Sequence, residues 1–502
     1  NVVQNQGLLV KNSGAGSSTI QPVMNNTGTT RVNNGVLQLN GAGVHSGQFA
    51  AEQAGTLTFL GGSHVVNAGT TFTGLGAVVV NGATLTVNAN MIFGNLTLQS
   101  GALGGPGRLT FAGMTRWEGG VLGGTGEVVV PVGGNFYVAS GPDPKVLTGR
   151  TVENAGSMVF ASELFFDNGT TLVNQAPGTL ELCEDAYLHA TGAAPNTIVN
   201  QGTLVSCPGA TTATVEPEVR NSGMISVYKL LLLKGRGVHG GGSQQTARAA
   251  AAYAAVFETF PGSQLTFADS DHLLSGGVVF SGTGTVAQIG GSLALSGSLD
   301  IASSFVRESG FFTAGVHPVN FIGSGVQTLT LQVPTTLADM HVFTGAVVVE
   351  GAAANNVLVT GALVNLGMLR KTLAVPGAGA LTFGLTQVQV DVTAPGTLTL
   401  LRVDRIDANH PGANPAIAGG RYWTITPTGA GYTADLTLPH SSMADALSVC
   451  RYTGTGPSQD CARGVTTPAT VTRAGITAFS DWAVEARPLV FLPTVLKPAA
   501  RE

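Results

Sequence analysis

Side chains able to do chemistry are sparse in this chain, and their spacing decides what they could do. Two acidic groupings stand out, Asp269-Ser270-Asp271-His272 and Glu181-Leu182-Cys183-Glu184-Asp185. Carboxylates gathered on one face could ligate Ca²⁺ or form the acid–base pair of glycoside cleavage. Successive side chains of a strand point to opposite faces, so Asp269 and Asp271 share a face and His272 takes the other. That triplet does not converge, and both groupings read as solvated bends. The chain holds no H-E-x-x-H, no G-x-S-x-G, no Walker A loop and no G-G-x-G-x-D array. Its nine His are scattered and read as surface or satisfied side chains rather than metal ligands. The expectation is therefore no catalytic residue, no metal and no cofactor.

Aromatic side chains offer a different chemistry, stacking on sugars. Trp117, Tyr137, Tyr187, Trp423 and Trp482 are the candidates. Trp423 and Trp482 lie in alternating segments and read as core, which leaves Trp117, between Arg116 and Glu118, as the glycan candidate. The four cysteines form two local pairs, Cys183 with Cys207 and Cys450 with Cys461, and no C-x-x-C is present. An even count of this kind points to disulfides and away from zinc.

Positioning these residues requires elements, and the sequence is explicit about them. Gly accounts for 71 of 502 residues and charged residues for only 10%, while hydrophobic residues reach 43%. Ordinary globular chains carry about 25% charged residues and about 7% Gly. A unit of apolar residue, Asn, one or two small residues, Gly and two apolar residues recurs along the chain. Copies include Val3-Gln4-Asn5-Gln6-Gly7-Leu8-Leu9, Val32-Asn33-Asn34-Gly35, Val152-Glu153-Asn154-Ala155-Gly156, Val199-Asn200-Gln201-Gly202, Val219-Arg220-Asn221-Ser222-Gly223 and Val364-Asn365-Leu366-Gly367. Asn and Gly tolerate left-handed backbone, so Asn-x-Gly marks a corner. The alternating apolar residues that follow mark short strands. One corner and two or three strands per ~20–25 residues make one coil of a parallel β-helix, and stacked coils bury what a single coil cannot. The recurring Asn predicts an internal ladder of stacked amides.

On this reading residues 1–385 are a parallel β-helix of about 15–18 coils, at roughly 4.8 Å each. Around residues 244–257 the Ala-rich run QQTARAAAAYAAVF breaks the pattern, and helix propensity predicts a short helical or loop excursion. Cys183 and Cys207 lie about one coil apart, so they are expected to stack on adjacent coils. From residue 386 the corners stop. Residues 386–486 carry short alternating strands with turn signals between them, predicting a small antiparallel β-sandwich in which Cys450 and Cys461 staple a hairpin. Residues 487–502 form an apolar tail.

The repeats resemble those of bacterial secreted and surface-exposed β-helix proteins, the class of autotransporter passenger domains and filamentous adhesins. Arg421-Tyr422-Trp423-Thr424-Ile425 and Gly475-Ile476-Thr477-Ala478-Phe479-Ser480-Asp481-Trp482-Ala483 resemble a small β-domain that often closes such proteins. This resemblance implies a secreted, cell-surface location and no enzymatic activity.

Net charge is −5 and the isoelectric point about 6.0, with no Lys/Arg stripe, which excludes a nucleic-acid partner. No apolar run reaches the ~18 residues of a membrane-spanning helix. Asn1 opens directly in repeat-like sequence, as expected of a mature product whose leader has been removed. An open β-helix end presents unpaired backbone, and strand addition could join one copy to the next. The expected self-assembly residues are Val2, Val3, Leu8 and Leu9 at one end, and Leu489, Val490, Phe491, Leu492, Val495 and Leu496 in the tail. The leading expectation is a filament or surface-layer subunit with itself as partner. A monomeric adhesin for glycans or cell-surface receptors is second, and a polysaccharide-active enzyme third.

Overall fold

The computed structural model describes residues 1–240, 255–354, 356–442, 446–457 and 460–486. Among them the only helical element is a 3-10 turn, Gly384–Thr386. The rest of the regular structure is strand, in a parallel β-solenoid of about 17 turns with an antiparallel sheet toward the C-terminus. The chain divides into two compact units, Asn1–Val319 and Asn320–Glu502.

In the first unit most turns hold three short strands. One turn comprises Leu164–Asp167, Thr171–Asn174 and Thr179–Leu182, and the next comprises Tyr187–Thr191, Thr197–Asn200 and Thr203–Ser206. Each strand pairs in parallel with its counterpart one turn on: Leu164 opposite Leu188, Thr171 opposite Thr197, Thr179 opposite Thr203. Period-two alternation explains the choice of residues. In Thr171–Asn174, Leu172 and Asn174 face inward and are fully buried, while Thr171 and Val173 stay half-exposed. Because register is preserved, like stacks on like. Leu180, Leu204, Ile225, Phe257 and Phe280 follow one another through five turns of the core. Burying one such side chain contributes about 1.5–3 kcal/mol, and the stack supplies one at nearly every inward position.

Val256–Thr259 is a strand whose Phe257 lies in that core, so the expected excursion does not extend over Val256 and Phe257. Residues 244–254 of that expectation lie outside the described residues. The competing signal is alternation: Phe257 and Thr259 point inward like every other turn.

The second unit begins with the same parallel pairing. Val326–Leu331 stacks on Ala346–Glu350, which stacks on Met368–Ala374. On its other side Met368–Ala374 pairs antiparallel with Leu400–Ile406, and from there on every pairing is antiparallel. Leu400–Ile406, Ala418–Thr428, Asp481–Ala486, Leu447–Tyr452 and Asp460–Arg463 continue one sheet. Gly379–Thr382, Gln389–Ala394, Thr433–Pro439, Thr470–Ile476 and Val465–Thr466 form the other. Val390, Leu436 and Val471 from the second sheet pack with Leu401, Trp423, Trp482 and Val484 from the first, the face-to-face arrangement of a sandwich.

Candidate functional site

Some of the polar groups buried inside the solenoid are arranged in columns. Asn5 Nδ2 donates to Asn26 Oδ1 at 2.7 Å. A longer column runs Asn154 to Asn174 (2.8 Å), Asn174 to Asn200 (2.8 Å) and Asn200 to Asn221 (2.7 Å). Each donating amide also gives a proton to a backbone carbonyl, as with Asn174 to Thr203 at 3.1 Å, except Asn221, whose Nδ2 meets no partner among the described residues. Each Asn closes its strand and precedes the corner, and its side chain turns inward. The expected amide ladder is present, in two separate segments.

Both columns end on histidine. Register puts His45 on Asn26 and His239 on Asn221, and each closes its strand, Gly43–His45 and Gly237–His239. Each contacts a second histidine one turn further: His45 Nε2 lies 3.0 Å from His64 Nδ1, and His239 Nε2 lies 3.2 Å from His272 Nδ1. The rings stack with centroids 5.3 and 5.5 Å apart. A glycine makes the space, because a Cβ on Gly237 would collide with ring nitrogens of both His239 and His272, and one on Gly43 with the His45 ring. All four imidazoles are buried. Burial pushes His45 down to about 3 and His272 to about 4, and holds His64 and His239 below the usual imidazole range. Read from the sequence as surface or satisfied side chains, these four residues lie in the core. The signal that finds His45 and His239 is Gly-Val-His at 43–45 and 237–239, with His in the Asn place of the corner.

The cysteine pairs are both bonded, Cys183–Cys207 and Cys450–Cys461. Cys183 and Cys207 occupy corresponding corners of adjacent turns with Cα atoms 4.9 Å apart, and Cys450 opposes Cys461 across an antiparallel pair. Beside the first bond, Glu184 and Asp185 adopt left-handed backbone. The Asp185 carboxylate accepts from Thr211 Oγ1 and Thr212 N of the next turn, both at 2.8 Å, and those bonds hold its pKa down. The 181–185 grouping is a clamp between corners. Asp269 and Asp271 are exposed while His272 faces the core, so that triplet is split as alternation required.

Trp117 is not a surface aromatic. It is 1% exposed, packs on Phe136 at 6.1 Å and donates from Nε1 to Gly119 O at 3.0 Å, which removes the glycan contact expected there. Its place shares parity with Leu109 and Phe111, so it points inward with them. Trp423 and Trp482 are core residues, as expected. Tyr137 stays half-exposed beneath the Arg116 guanidinium.

No protein-family model, curated protein or solved structure matches this chain. The geometry therefore has to be weighed by itself. On the outer face, His189 is sandwiched between Phe165 and Tyr187, centroids 4.4 and 3.9 Å away. Glu163 and Glu216 approach its two ring nitrogens, each at 3.8 Å. The Tyr187 hydroxyl donates to Glu216, which with partial burial raises its pKa to about 12. In the second unit His410 accepts Gly412 N on Nδ1 and so donates from Nε2 to Asp481 at 3.2 Å. These two contacts tie the loop around His410 to Asp481. Of the expected assembly residues, Val2 and Leu8 point outward (55% and 64% exposed), and Val3 and Leu9 are half-buried. Leu489, Val490, Phe491, Leu492, Val495 and Leu496 lie outside the described residues.

Proposed function

We propose that this chain is an extracellular structural protein of the bacterial surface β-helix kind, a self-assembling filament or surface-layer subunit joined head to tail. One observation carries this reading: the edge that each turn offers its neighbour is the same backbone edge, in the same parallel register, from turn to turn. The rules that add a turn within the chain are therefore the rules by which a second copy would add. Residues 488–496, PLVFLPTVL, have the apolar composition of a donated strand. A heterologous contact of that kind generates open filaments. Two disulfides in the chain fit an oxidising compartment. Among the described residues no helix is long and apolar enough to cross a membrane.

A glycan-binding adhesin is the second reading, and the outward stack of Phe165, His189 and Tyr187 is the feature that favours it. The experiment that separates the two is negative-stain electron microscopy of the full chain at rising concentration, beside a deletion of residues 487–502. Fibres are expected from the full chain and only short particles from the deletion. Short particles from both would overturn the filament and leave the adhesin ahead.

A further inference from the structure

We propose that the two imidazole pairs make the solenoid acid-labile at two defined places, the turns of His45 and His64 and the turns of His239 and His272. His64 Nε2 lies 3.0 Å from the carbonyl oxygen of Gly61. A carbonyl only accepts, so His64 carries its proton on Nε2 and presents a lone pair at Nδ1. His45 must then donate through Nε2, and its Nδ1 is left as a bare acceptor with no partner among the described residues. The second pair makes the same Nε2–Nδ1 contact, with both outer nitrogens, His239 Nδ1 and His272 Nε2, lacking a hydrogen-bond partner among the described residues.

Each pair is complete only when both rings are neutral. A second proton on His64 or His272 destroys the acceptor its partner uses. One on His45 or His239 sits at an Nδ1 that nothing accepts from, in an aromatic cage. Phe49 and Phe59 lie 5.1 and 6.1 Å from His45, and Phe257 and Phe267 lie 5.2 and 5.7 Å from His239. No carboxylate enters either cage to offset the charge. Near the first pair, Arg31 and Glu52 pair with each other at 3.7 Å on the outer face. Around the second, Glu218 and Arg220 pair outside at 2.7 Å, Glu258 accepts from Ser226, and Lys234, Arg236 and Asp271 lie on outward or corner positions. Of these charged groups only Asp271 favours the charged form of a caged ring, His272; the Leu233 backbone favours it too, and burial outweighs both.

The sign follows from linkage. The imidazoles are depressed in the folded state, so between the unfolded value of about 6.5 and the folded values the unfolded turn binds more protons. Stability is complete above about pH 6.5 and falls as pH drops towards the folded values, about 3 for His45 and about 4 for His272. At pH 4.5 each caged imidazole whose folded value lies below that pH favours local opening by about a hundredfold.

Hydrogen exchange read by mass spectrometry on the full chain tests this, at pH 7.0 and 4.5 with intrinsic rates corrected. Peptides covering residues 43–47, 61–66, 237–240 and 271–275 are expected to lose about a hundredfold or more of their protection at pH 4.5. Peptides covering 171–182, in the Asn ladder, should change little. His45→Asn with His64→Leu should remove the acid effect at the first site and leave the second intact, since Asn is the residue the ladder uses at that corner and Leu85 is the next residue inward from His64. If that double variant does not fold at pH 7.0, His45→Asn alone and the wild-type peptide map carry the test. Uniform acid sensitivity along the solenoid, or local loss that survives in the variants, overturns the proposal. Neither result bears on filament formation.

Discussion

The solenoid of Asn1–Val319 and the two-sheet core within Asn320–Glu502 both bury polar side chains, and they satisfy them by opposite means. In the solenoid, amides meet amides and imidazoles meet imidazoles. Even Arg150, 2% exposed, is held by carbonyl oxygens, those of Gly123 and of Gly105 at 2.9 Å, with no carboxylate beside it. In the second unit, Arg370 takes Asp404 through two bonds of 2.7 and 2.9 Å, while Arg405 and Arg421 share Asp407. Pairing direction accounts for the difference. Parallel stacking of a repeat places the same position above itself, so where the repeat is kept an interior group must complement its own kind; where it is not, different groups meet, as Arg307 donates to Gln288 at 3.0 Å. An amide does so, having donor and acceptor; a column of like charges repels. Antiparallel strands oppose different positions, Arg370 against Asp404, and opposite charges can meet.

The largest effect that would sharpen this contrast comes from Asp407→Ala. It leaves the Arg405 guanidinium, 2% exposed, without its carboxylate, and loss of one partner of a buried ion pair costs about 3–5 kcal/mol. Urea unfolding followed by tryptophan fluorescence should show it, and a loss below about 1 kcal/mol would mean that charge pairing does not hold this region. Next come the two disulfides, one joining turns and one joining a hairpin. Replacing Cys183 and Cys207 by Ser should cost about 3 kcal/mol. The Cys450/Cys461 replacement should cost about half a kcal/mol less, because it closes 11 residues rather than 24. Equal midpoint shifts with and without reductant would show that neither bond contributes. The smallest effect is expected from Asn174→Leu, about 2 kcal/mol. Asn154 keeps its bond to Thr179 O at 3.0 Å after the change, so the ladder is weakened and not severed. A rise in urea midpoint for that variant would break the argument that self-complementary amides stabilise the stack.

Much of this was legible in the residues. Asn-x-Gly announced the corners, alternation announced the strands, and the spacing of Cys183 and Cys207 announced stacked turns. Trp117 was legible too: counting by twos from Leu109 places it inside, with Arg116 and Glu118 as its outward neighbours. The four core histidines were harder. The equivalence of His45-Ser46-Gly47 to Asn26-Thr27-Gly28, and the Gly-Val-His shared with 237–239, mark His45 and His239 as inward corner residues, while nothing local marks His64 and His272.

The sequence by itself determined the repeating turn, because corner conformation and strand alternation depend on a residue and its immediate neighbours. Only the tertiary structure decided which side chains meet. His45 reaches His64 across 19 residues, whereas His239 reaches His272 across 33. The path between partners varies with every loop, while the register that joins them is set by backbone pairing of whole turns, and no local preference encodes it.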